Sequence, residues 1–191
     1  MSRPTPYVSP LPPGQRVVDR LPVQHVGAPL ELRAEQYRLA LSGLVVAARE
    51  FSLDELRRLA ATEIEADFHA GSGWSVRNLR WGGVRLADVL RLAQPLPTAQ
   101  FVRLWDGALY DASLPLADAL APDVLLALQL DGAPLTREHG APLRLIAPAK
   151  YGYKSVKWLR SIELVADDPQ GFWERRGMHA GADPWREERF A

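Results

Sequence analysis

Apolar and polar residues alternate along residues 37–43 and stop at Gly43, the period of a strand with one buried face. The alternation returns at 63–68, where Ile64, Ala66 and Phe68 share a face, so this strand delivers His69 to a glycine loop at its C-terminal end. Further strands are predicted at 100–105 and 108–113 around an Asp106-Gly107 turn, and at 124–130, closed by Asp131-Gly132. Helical spacing appears twice. Leu53, Leu56 and Leu59 follow Ser52-x-x-Glu55, a capping box in which the hydroxyl and the carboxylate each satisfy an orphan N–H. Leu86, Val89, Leu90 and Ala93 mark a second helix within 85–93. Helices and strands do not alternate regularly, which makes the fold class α+β rather than a doubly wound parallel sheet.

Residues 1–30 break both patterns. Pro4, Pro6, Pro10, Pro12, Pro13, Pro22 and Pro29 remove backbone donors and predict an extended arm packed on a body formed by residues 31–191. His25 lies in this arm on irregular backbone, either as a surface histidine or as a donor to a ligand. The chain's end, with Phe172, Trp173 and Trp185 among charges, is expected to fold back on the body.

Composition narrows the function classes. With 191 residues and 47% hydrophobic content, the chain has enough apolar material for one compact unit. Lys+Arg and Asp+Glu both total 23, so neither nucleic acid nor an anionic membrane is an expected partner and any anion site must be local. The absence of cysteine removes disulfides, thiolate-held zinc, iron–sulfur clusters and thiol catalysis. No run reaches the ~20 apolar residues that span a bilayer, and the first 13 residues lack a signal-peptide core, so a soluble cytoplasmic protein is expected.

The loop over residues 67–75 combines Gly71 and Gly73 with serines, a histidine and Trp74, and its backbone N–H groups are positioned to face a bound group. It is not the nucleophile elbow of α/β-hydrolases, and its Gly-x-Gly lacks the third glycine of the dinucleotide fingerprint. His25, His69, His139 and His179 are scattered and match no zincin motif. Lys150, Lys154 and Lys157 cluster beside Tyr151, Tyr153, Ser155 and Trp158, which reads equally as a lysine-blunted strand edge or as a phosphate site. With His69, His139 and Arg144, this run supplies donors suited to a large phosphate-bearing ligand.

Seven stretches carry a further resemblance. They are Leu-Pro-Pro-Gly-Gln-Arg at 11–16, Leu-Pro-Val-Gln-His at 21–25, the Phe68-His69 and Gly73-Trp74-Ser75 loop, Arg-Trp-Gly-Gly-Val at 80–84, His-Gly-Ala-Pro-Leu-Arg at 139–144, Tyr-Gly-Tyr-Lys-Ser-Val-Lys-Trp at 151–158, and Phe-Trp-Glu-Arg-Arg-Gly at 172–177. Together they resemble the sulfite oxidase family of molybdopterin-dependent oxidoreductases, specifically its short single-domain bacterial members, over nearly the whole chain. The resemblance implies a mixed-sheet α+β molybdopterin-binding fold and a molybdenum-carrying pterin cofactor without haem. It implies oxygen-atom transfer on a small molecule such as sulfite or a sulfoxide, with an external electron donor or acceptor. By the same resemblance His25, His69, Gly73, His139, Arg144, Lys154, Ser155, Val156 and Lys157 are cofactor-binding candidates.

One position departs from the family pattern. Where the family places a metal-ligating cysteine directly after the histidine, this chain has Ala70, whose methyl group cannot ligate molybdenum. Three readings stay open: a pterin-binding member without normal turnover, an active member with altered coordination, and a chain whose cysteine was replaced. The expected function is a molybdopterin-binding oxidoreductase-type domain impaired in oxygen transfer. A non-catalytic pterin-binding, anion-binding or scaffold protein is the alternative.

Overall fold

The structure, a computed structural model, describes residues 10–59 and 62–191. Pro4 and Pro6 of the predicted arm lie outside these residues. Among the described residues, eleven strands form two sheets with three short helices. The first sheet contains β1 (Arg16–Val17), and the second begins with β2 (Arg38–Gly43) and β3 (Arg49–Ser52). After α1 (Leu53–Arg58), β4 (Thr62–His69) and the long β5 (Trp74–Arg85) form a hairpin that leads into α2 (Leu86–Ala93). β6 (Phe101–Trp105), β7 (Asp111–Pro115), α3 (Leu116–Ala119), β8 (Leu125–Leu130), β9 (Ala133–Pro134), β10 (Arg144–Ile146) and β11 (Ser161–Val165) follow.

The six-stranded sheet runs β1-β5-β8-β10, with β4 also paired to β5 and β9 to β8. The five-stranded sheet runs β3-β2-β11-β6-β7. β1 pairs with β5 and β11 with β2 in parallel, while the remaining pairs are antiparallel, so both sheets are mixed. This is the α+β, mixed-sheet architecture expected from the sequence.

Parity along the strands divides the core. Leu126 and Leu145 face a large cluster shared with Leu39, Leu41, Leu104 and Ile162 of the second sheet, whereas Leu125, Ala127 and Ile146 face a smaller cluster with Trp74 and Trp81. The central strands of the six-stranded sheet are therefore buried on both sides. Val18 and Leu21 from the N-terminal segment pack on the smaller cluster.

α1 forms where its capping box predicts. Ser52 Oγ accepts from the Glu55 N–H, the Glu55 carboxylate accepts from the Ser52 N–H at 2.8 Å, and Leu53 and Leu56 are buried. α2 buries Leu86, Val89, Leu90 and Ala93 as their spacing predicts. Two readings change. Of the loop read over 67–75, residues 67–69 end β4 and 74–75 open β5, and the 151–157 run is no strand edge: it contains a single 3-10 turn, Gly152–Lys154, with Lys154 buried.

Candidate functional site

The β4–β5 hairpin forms one side of the site. The Ala70 N–H donates to the Trp74 carbonyl at 2.8 Å and the Gly73 N–H to the Ala70 carbonyl at 3.0 Å, with Gly73 at φ +90°, a conformation glycine adopts without a Cβ penalty. Two loop N–H groups expected to face a ligand are thus consumed within the turn. Strand parity puts Phe68 and Ala70 on one side and His69 on the other. Phe68 and Ala70 line a cavity of about 650 Å³, whereas His69 lines a separate one of about 390 Å³.

The larger cavity is closed by three distant segments. Leu21 to Val26 of the arm bring His25, residues 139–158 bring His139, Arg144, Ser155 and Lys157, and the C-terminal segment brings Trp173, Met178 and Phe190. Gly152 lets the chain pass against Phe68, because a Cβ there would stand 2.3 Å from the ring.

Charge is concentrated on the 139–158 wall. Arg144 is 2% exposed, spends its guanidinium on the carbonyls of His139 (3.1 Å) and Ser155 (3.2 Å), and lies over the rings of Phe68 and Trp81 at 5.6 and 5.3 Å. Lys157 donates to the Glu138 carbonyl at 2.6 Å and sits 5.6 Å from the Trp158 ring. Neither makes an ion pair among the described residues. Burial pulls Arg144 down to about 9, and burial with the Arg144 charge pulls Lys157 down to about 7. Burial, then Lys157 and Arg144, lower His139 as well, and its buried Nδ1 has no hydrogen-bond partner.

Five of the nine candidate residues therefore line one cavity: His25, His139, Arg144, Ser155 and Lys157. His25 is exposed at the rim, 5.9 Å from the Trp158 ring, with Nδ1 2.8 Å from the Gly27 carbonyl. Ser155 Oγ accepts from the Ala147 N–H at 3.2 Å. The other four point elsewhere. Gly73 shapes the hairpin, and Val156 belongs to the large core. His69 bonds to Ser75, and Lys154 is buried in an ion pair with Glu174. Tyr110, Met178 and Phe190 also line the cavity and carried no motif; Tyr110 donates its hydroxyl proton to the Tyr153 carbonyl.

A phosphate-bearing pterin fits these residues. The cavity has the volume of a cofactor site, aromatic side chains such as Phe68, Trp74 and Trp158 form part of its lining, and no carboxylate lines it beside the cations Arg144 and Lys157 and the unpartnered His139 Nδ1. No group of three or more histidine, aspartate or glutamate side chains suited to a metal occurs among the described residues. No described helix is long and apolar enough to cross a membrane.

Known proteins resemble this chain. Residues 25–173 match the family described as Oxidoreductase molybdopterin binding domain. The chain is 38% identical to the uncharacterized oxidoreductase YuiH of Bacillus subtilis, over 94% of this chain and 91% of that one. It is 33% identical to the sulfite oxidase of Arabidopsis thaliana, over 80% of this chain but 48% of that protein. The fold matches the sulfane dehydrogenase SoxCD of Paracoccus pantotrophus with a TM-score of 0.69 at 25% identity, covering 76% of this chain and 42% of that one. This chain is a molybdopterin-binding oxidoreductase domain of that family, related to the sulfite oxidases.

Proposed function

We propose that the cavity holds molybdopterin with its phosphate on the Lys157, Arg144 and His139 wall, and that oxygen-atom transfer is impaired by Ala70. The observation that carries this reading is the pair of cations, Arg144 and Lys157, lining one partly aromatic cavity with neither in an ion pair among the described residues. Clustered like charges in a partly dry wall are costly unless an anion completes them. A phosphate does so through charge-assisted hydrogen bonds, and His139 Nδ1 is available to the same ligand.

When bound, the cofactor supplies a dithiolene-held molybdenum that transfers an oxygen atom to or from a small molecule such as sulfite or a sulfoxide. The chain's own residues orient and enclose it. Arg144 and Lys157 neutralise the phosphate, Trp158 and His25 flank the rim, and Phe68 and Trp74 exclude water from the wall that contains Ala70. Ala70 presents a methyl group where a thiolate would donate to the metal. Electrons come from or go to an external partner.

Lys157→Glu tests the cofactor reading. In protein made in a cofactor-producing host, the variant should fold and lose its pterin; full pterin retention would sink the assignment. A second reading, a binding or scaffold protein without turnover, is favoured by Ala70 itself. Protein that carries no pterin from a cofactor-producing host, yet binds another anion in the same cavity, would support it.

A further inference from the structure

A hydrogen-bonded chain runs behind the hairpin, and its direction can be read from chemistry alone. Gln15 Nε2 lies 3.1 Å from the Ala70 carbonyl, which only accepts, so the Gln15 amide must donate there and its Oε1 must be the atom facing Ser75. Ser75 Oγ, 3.0 Å from that Oε1, spends its single proton on it. The remaining contact, His69 Nδ1 to Ser75 Oγ at 2.8 Å, then requires the proton to sit on His69 Nδ1.

We propose that His69, Ser75 and Gln15 form a one-way donor relay that fixes the peptide of residue 70, with His69 a positioning residue and not a ligand of the larger cavity. The relay joins three parts of the chain: the end of β4, the start of β5 and the N-terminal segment just before β1. Ser75 and His69 are 0% and 5% exposed, so water does not substitute for either partner. The Ala70 carbonyl also accepts from Gly73, and the Ala70 N–H is held by Trp74, so both ends of the unit are pinned and the residue-70 side chain is aimed into the larger cavity. His69 Nε2 is then left with its lone pair, and the His69 side chain lines the smaller cavity. The relay stands on hydrogen bonds; its functional weight rests on the cofactor reading of the larger cavity.

Both tests use protein without cofactor, so their failure is distinct from failure of that reading. In the unmodified chain, nitrogen-15 NMR of His69 at neutral pH should show the proton on Nδ1 and a bare Nε2; the opposite tautomer or a charged ring overturns the relay. The second test exploits the lack of native cysteine, which makes Ala70→Cys a single-thiol reporter. Adding Gln15→Ala or Ser75→Ala should speed its alkylation by iodoacetamide more than about threefold, the scale of one ordinary hydrogen bond. Val17→Ala on the same arm should leave the rate unchanged. A smaller acceleration by both relay variants, or an equal one from Val17→Ala, overturns the relay.

Discussion

Lys154 and Glu174 bury opposite charges against each other, with side chains 1% and 3% exposed, and Lys154 also donates to the Ser113 carbonyl at 2.8 Å. Three residues on, Lys157 touches a backbone carbonyl and an aromatic face and feels the exposed Glu138 carboxylate, but makes no ion pair among the described residues. Removing one member of a buried pair strands the other charge. Lys154→Met should therefore lower the urea-unfolding free energy by about 3–5 kcal/mol. Lys157→Met strands nothing and should cost less than about 1 kcal/mol. Equal losses would remove the distinction between a structural lysine and a ligand-facing one.

The pH dependence of the cofactor-free protein follows from Lys157. Its folded value of about 7 lies below the ~10.4 of an unfolded lysine. Between these values the unfolded chain binds more protons, so stability rises with pH across that window and the strain of the charged lysine is fully present below it. Lys157→Met should flatten this part of the curve. A bound phosphate acts oppositely, holding Lys157 protonated, so phosphate affinity should fall by up to about tenfold per pH unit above pH 7. Isothermal titration with inorganic phosphate from pH 6.5 to 9 would detect it, and a flat profile would rule Lys157 out as a phosphate partner.

Ala70→Cys places a thiol on the wall where the cofactor reading puts the metal. If the missing thiolate alone limits chemistry, turnover of sulfite or a sulfoxide by metal-loaded variant should rise tenfold or more, about 1.4 kcal/mol off the barrier. No gain at full metal loading would show that other parts of the site have diverged.

Gly152 and Phe68 are in contact because glycine has no Cβ. Gly152→Ala would drive a methyl group to 2.3 Å from the ring and should cost about 1–3 kcal/mol through overpacking. Phe68 also carries the Arg144 guanidinium, so pterin content should fall further than the stability change alone explains. Calorimetry paired with pterin fluorescence separates the two effects.

What could be read beforehand was local. The Ser52 to Glu55 capping box and the apolar stripe of α2 depend on neighbours within one or two turns, and both formed as spaced. β5 was hidden because Arg77, Asn78 and Arg80 interrupt any apolar alternation, with Arg77 and Asn78 falling at the register shift in its pairing with β4. Lys154 and Lys157 are indistinguishable in sequence because Glu174, the residue that separates their roles, is 20 positions away from Lys154. His69 was legible in principle: in a strand that puts Phe68 and Ala70 toward one cavity, the residue between them must face away. The joining of His25 to the 139–158 wall depends on tertiary packing, and only the family resemblance pointed to it.

Pterin and molybdenum content per chain, measured on unmodified protein from a cofactor-producing host, tests the central claim most directly. Fluorescence of the released pterin and elemental analysis should each give a value close to one per chain; protein that carries neither would contradict the assignment of this cavity as a molybdopterin site.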